Sequence, residues 1–111
     1  MTIQELATNY NMHDSLIDSF SVDDQEKTIR IIIDFAFWMQ DNYSEGDPET
    51  GPLNVTFLNV SNYSVPEQLP LDEISILKTS VLDNAFVFTI LNDITDECFD
   101  IRIKADSVMV S

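Results

Sequence analysis

The chain is poor in the residues that punctuate, staple and catalyse. Its 111 residues include two glycines, four prolines, one cysteine and one histidine. Two glycines cannot furnish a glycine-rich phosphate loop. A lone cysteine, Cys98, excludes an internal disulfide and fits a reducing compartment. With His13 as the only imidazole, no zinc site of familiar Cys/His spacing can be assembled, and no cofactor is expected. Basic residues are scarce as well: five Lys and Arg stand against twenty Asp and Glu, a formal charge of −15. Such a surface repels phosphate backbones and anionic lipids, so nucleic acid and membrane are not expected partners. No apolar run approaches the roughly 20 residues that cross a bilayer. The segment MTIQELATNY has neither a basic cluster nor an apolar signal core, so a cytoplasmic location is expected.

What is present describes a globular object. Hydrophobic residues make up 44% of the chain and seven are Phe, which suits one domain over residues 1–111 rather than disorder. The most informative stretch is TIRIIIDFAFWM, Thr28 to Met39. Ile29, Ile31, Ile33, Phe35, Phe37 and Met39 are all apolar, and the residues between them are mixed. Alternation with period two predicts a strand with one greasy face. Ile29, Ile32, Ile33, Ala36 and Phe37 also fit helical spacing, but β-branched and aromatic residues dominate and favour a pleated surface.

Around that strand the chain reads as follows. Thr2 and Glu5 have capping-box spacing, predicting a short helix to Tyr10 that buries Ile3, Leu6 and Ala7. Leu16 to Val22 predicts a strand with Leu16, Phe20 and Val22 on one face and Asp18 interrupting. Residues 23–27 turn it back. QDNYSEGDPETGP, residues 40–52, is the clearest loop, holding both glycines and two prolines. Leu53 to Val60 predicts a strand whose apolar phase shifts at Leu58, as a bulge or a strand end would cause. Ser61 to Pro70 is irregular. Leu71 to Leu82 fits helix or strand and tilts to strand ahead of an Asp83-Asn84 turn. Ala85 to Leu91 and Cys98 to Lys104 alternate cleanly, and Val108 and Val110 close the sheet. Arg102 and Lys104 share a face with Asp100 and are expected to pair with acids on neighbouring strands. The expected class is mainly β (α+β): a short N-terminal helix, then an antiparallel β-meander forming a curved sheet, sandwich or open barrel.

Three constellations invite chemistry. His13-Asp14-Ser15 has triad residue types, but adjacent side chains do not line up as a triad, and a turn cap is the plainer use. Asp41, Glu45, Asp47 and Glu49 could gather round calcium, yet the EF-hand spacing is absent, which favours a solvated loop. Twenty acids offer many carboxylate pairs, but glycoside hydrolysis turns on their separation. Cys98 has no histidine near it in sequence and is expected to be inert. Trp38 is expected in the core, since large apolar residues are mostly buried. Exposed, it would suit a protein-binding hot spot with Tyr43 among the acids.

The run MHDSLIDSFSVDD, followed by an alternating strand and then LNVTFLNV, resembles small β-rich bacterial proteins of immunity type. The resemblance covers about the first 60 residues. It implies a hairpin led by His-Asp-Ser, a later strand at Phe57-Leu58-Asn59-Val60, and no catalytic residues. The expected function is a non-enzymatic, acidic, cytoplasmic interaction protein that inhibits a basic protein partner, bound through Trp38, Asp41, Tyr43, Glu45, Asp47 and Glu49. Its oligomeric state is open, because sheet edges invite pairing and acids oppose it. A β sandwich or barrel with an apolar ligand pocket is the alternative, and a hydrolase using His13 stands third.

Overall fold

The computed structural model describes residues 1–40, 43–66 and 74–111. Asp41 and the first residues of the Leu71–Leu82 stretch lie outside them. The elements are α1 (Ile3–Asn9), β1 (Leu16–Asp23), β2 (Thr28–Ala36), a 3-10 turn (Phe37–Met39), β3 (Thr50–Ser64), β4 (Ile74–Leu82), β5 (Ala85–Asn92) and β6 (Glu97–Val110). The class is mainly β with one short N-terminal helix, as its alternating segments require. The strand order is β1-β2-β3-β6-β5-β4, closing on itself as a barrel. This is not one continuous meander. Two three-stranded meanders meet where β3 pairs with β6, and the ring closes where β1 touches β4 at Leu16 and Ser75. Two further bonds hold that closure, Asp14 N–H to the Ile76 carbonyl at 3.0 Å and Ile76 N–H to the Ser15 carbonyl at 2.8 Å.

The alternation in β2 places Ile29, Ile31, Ile33 and Phe35 in the barrel interior, all essentially inaccessible. Each such burial stabilises by about 1.5–3 kcal/mol relative to exposure. Phe57 from β3 and Phe86 and Phe88 from β5 fill the interior beside them, with ring centroids 4.8–6.4 Å apart. Edge-on and tilted ring pairs at these distances add to the area term. A ligand-sized hollow has no room where these rings meet.

Three register shifts bend the sheet, at Ile17/Ser19 in β1, Val60/Asn62 in β3 and Ile76/Lys78 in β4. Each extra residue flips the side chains that follow to the other face. That corrects the expected face of β1. Asp18 is the bulged residue, so Ile17 enters the core while Leu16, beyond the bulge, is exposed. In β3 the register shift follows the phase change at Leu58, which coincides instead with Asn59 at φ +52° and with the Val60 N–H turning to the Lys27 carbonyl, 2.8 Å away. The strand then runs on to Ser64, through residues expected to be irregular.

The turns follow from their residues. Asp83 and Asn84 both have positive φ, the conformation of a two-residue hairpin that favours Asn and Asp. The β1–β2 and β5–β6 turns share one design. Asp23 Oδ1 accepts from the N–H groups of Gln25 and Glu26, and Asn92 Oδ1 from those of Ile94 and Thr95. Each ends on a left-handed residue, Lys27 or Asp96.

Helix α1 is secured by the capping box: Glu5 N–H donates to Thr2 Oγ1 at 3.1 Å and Thr2 N–H to Glu5 Oε1 at 3.0 Å. The bond from Thr2 N–H, and then the Thr2 side chain, hold the exposed Glu5 carboxyl below its ordinary pKa. Ile3 and Leu6 bury against the barrel, and Met12 from the following connector joins them in the core. No helix among the described residues is long and apolar enough to cross a membrane.

Candidate functional site

The strand expected to run to Met39 stops at Ala36, and the site begins there. Three constraints end it. Ala36 N–H donates to the buried Ser15 Oγ, 2.9 Å away. Gln40 folds back, its Nε2 donating to the carbonyls of Ala36 at 3.0 Å and Asn11 at 2.7 Å while its Oε1 accepts from Asn11 N–H at 3.0 Å. The edge of the Phe37 ring lies against Gly51, where a Cβ would stand 2.7 Å from Phe37 Cε2. Only a residue without a side chain lets the ring lie there. Phe37, Trp38 and Met39 therefore leave the sheet as a 3-10 turn.

Trp38 is thereby turned outward. It is 45% exposed, against the expectation of a core position. Its N–H donates to the Glu49 carbonyl at 3.2 Å, which ties the two sides of the loop together. Residues 43–47 form a tight turn around Gly46, whose φ of +99° suits glycine. Asp47 organises it. Its Oδ2 accepts from Ser44 N–H at 3.1 Å and its carbonyl accepts from the Tyr43 hydroxyl at 3.2 Å. Tyr43 N–H donates to the Gln40 carbonyl at 3.1 Å.

Two shallow clefts of about 270 Å³ each flank the Phe37 ring. One is lined by Phe37, Gln40, Tyr43, Asp47 and Pro48. The other is lined by Asn9, Tyr10, Phe35, Phe37 and Gln40. Phe35 stacks edge-on with both Tyr10 and Phe37, at 5.8 and 5.4 Å between centroids. No Lys or Arg lines either cleft.

Of the residues singled out from sequence, Tyr43 and Asp47 are joined directly, Glu49 meets Trp38 through backbone, and Glu45 stands exposed without a hydrogen bond among the described residues. Asp41 lies outside those residues. Sequence reasoning missed Asn9, Tyr10, Phe37, Gln40 and Pro48 as lining. Gly51 was the available signal: a glycine paired with Phe35 in the β2–β3 ladder marks a close approach.

The other constellations resolve differently. His13 Nδ1 lies 2.6 Å from the carbonyl of Leu77, the bulged residue of β4, and its Nε2 lies 3.5 Å from Asp14 Oδ1. Ser15 Oγ is engaged with Ala36, and no hydrogen bond joins it to His13. His13 and Asp14 thus sit at the barrel closure, not in triad geometry. Among the described residues no three His, Cys, Asp or Glu side chains gather as a metal site. Among the described residues Arg102 and Lys104 make none of the expected cross-strand ion pairs. Their partners on β3 are Ser64 and Asn62, Asp100 takes a bond from Thr89, and His13–Asp14 is the one carboxylate ion pair among the described residues. Cys98 is exposed on β6.

No known protein family, curated protein or solved structure matches the chain.

Proposed function

We propose that this chain is a non-enzymatic, acidic, cytoplasmic interaction protein, of the inhibitory immunity type, that docks a basic protein through the surface built by residues 37–40 and 43–50. One observation carries the reading: Trp38 stands exposed on the 3-10 turn next to Phe37, a wall of both clefts, its backbone bonded to the loop that bears Glu45, Asp47 and Glu49, and no Lys or Arg lines those clefts among the described residues. Binding energy concentrates in aromatic anchors, while surrounding charge sets on-rate and partner choice. A basic inhibitor target is the natural complement of a −15 chain. The barrel interior is occupied by Phe57, Phe86 and Phe88, which removes support for an internal ligand pocket. His13 is engaged at the barrel closure, which removes support for a hydrolase built on it.

The test is a titration of the ¹⁵N-labelled chain with nona-arginine at low salt, read by amide shifts. Shifts should concentrate on residues 43–49 and the Trp38 indole N–H, and weaken steeply as salt rises. Equal shifts on the acidic turn 93–97, or indifference to salt, would refute the docking surface.

A further inference from the structure

We propose that the cleft between Phe37, Tyr43 and Pro48 is a receptor for a single arginine side chain, stacked on the aromatic faces with its guanidinium directed to Asp47. The inference rests on the docking surface proposed above and names the chemistry of its central contact. An arginine side chain is the occupant that every wall of this cleft complements.

The lining supplies two aromatic rings, one proline, one carboxylate and one amide. A flat, delocalised cation suits such rings better than an aliphatic side chain does, because the ring faces carry negative electrostatic potential. Guanidinium is also weakly hydrated and forks onto carboxylate, whereas ammonium is a compact, strongly hydrated point charge. Asp47 is held for that role. Ser44 N–H occupies its Oδ2, while Oδ1 takes no hydrogen bond from the described residues. The Tyr43 hydroxyl is committed to the Asp47 backbone carbonyl, so that bond ties the ring to the turn that carries the carboxylate. Gln40 is committed to Asn11 and Ala36 and makes a rigid floor. The cleft is of a size for one side chain, at about 270 Å³, and Glu45 and Glu49 lie on the same loop to attract the cation.

The experiment compares two probes on the full ¹⁵N-labelled chain: N-acetyl-L-arginine amide and its neutral isostere, N-acetyl-L-citrulline amide. Saturable shifts are expected at the Ser44 and Asp47 amides and at the Gln40 side-chain amide, with the arginine probe binding about fivefold more tightly or better. Asp47→Asn keeps an acceptor for Ser44 N–H and should reduce that preference to the part the aromatic faces supply. Tyr43→Leu should weaken both probes, and its unchanged amide dispersion elsewhere would show that the fold persists. Equal affinity of the two probes, or arginine shifts confined to residues 23–26 or 93–97, overturns the proposal. If nona-arginine still maps to residues 43–49 in that case, the docking surface stands and only the arginine receptor falls. If nona-arginine spreads over the whole acidic surface, the broader reading falls first.

Discussion

Two acidic regions each expose one large apolar side chain, Ile94 in the β5–β6 turn and Trp38 beside the loop after β2. Ile94 is the more exposed of the two, at 67% against 45%. The turn carries Asp93, Asp96 and Glu97; the loop carries Glu45, Asp47 and Glu49. By charge and exposure alone they are equivalent. They differ in what their polar groups already do. Asn92 Oδ1 caps two N–H groups of the turn, and Asp93 Oδ2 accepts from Ser75 Oγ. The turn is a closed hairpin, and its residues line neither of the two clefts. The loop spans from the 3-10 turn to β3, and its return path leaves hollows against Phe37 and Tyr10. Charge distributes freely over a soluble surface, but a binding site also needs aromatic walls and concavity.

The sharpest way to break this contrast is to remove the organising side chain from each region. Asn92→Ala strips the partner from two N–H groups at a nearly buried position, so it should cost about 1–3 kcal/mol in urea unfolding with an unchanged slope. Asp47→Ala, at an exposed position, should cost about 0.5 kcal/mol or less. Comparable losses would mean that the loop carboxylate is structural too, and the distinction would fail.

A smaller effect comes from the junction that separates loop from sheet. Gly51→Ala places a methyl group against the edge of the Phe37 ring. Displacing the ring should cost about 1 kcal/mol and shift the Ser44 and Asp47 amides while leaving residues 93–97 unmoved. Amide spectra without any change at 44 and 47 would show that Phe37 does not shape the cleft.

The smallest effect concerns the third acidic turn, between β1 and β2. Tyr63 donates its hydroxyl to Asp24 Oδ1 at 3.2 Å. That bond, and then the nearby negative charge, raise the phenol above its ordinary value of 10.0. A group with a raised folded pKa contributes stability that is present below pH 10 and is lost as pH rises through the folded value. Absorbance titration should place Tyr63 above that ordinary value, and Asp24→Asn should bring it down. An unchanged titration in that variant would remove the bond as the cause.

Legibility in the sequence tracked the range of the interactions involved. The capping box at Thr2 and Glu5, the alternation of β2, β5 and β6, and the Asp83-Asn84 turn are set by residues within a few positions of one another. The phase change after Phe57 is legible because it arises within one strand, where Asn59 takes positive φ. The face of Leu16 was misread because an acid in a strand signals either solvent or a bulge, and only the partner register with β2 distinguishes them. The size and polarity of Trp38 favour burial; what turns it out is the hydrogen bond that Ala36 N–H donates to Ser15 Oγ and the gap at Gly51, far apart in the chain.

The sequence by itself determined a strongly acidic, disulfide-free, mainly β domain with a capped helix at its start. Those properties follow from composition and from side-chain periods of 2 and 3.6, which need no knowledge of partners. Tertiary structure alone decided that β3 lies beside β6, that β1 and β4 close the ring, and that Phe37, Tyr43 and Asp47 share a cleft. Each of these depends on which backbone groups and surfaces meet across tens of residues. Alternating patterns specify which face of a strand is buried, but they are blind to which strand becomes its neighbour.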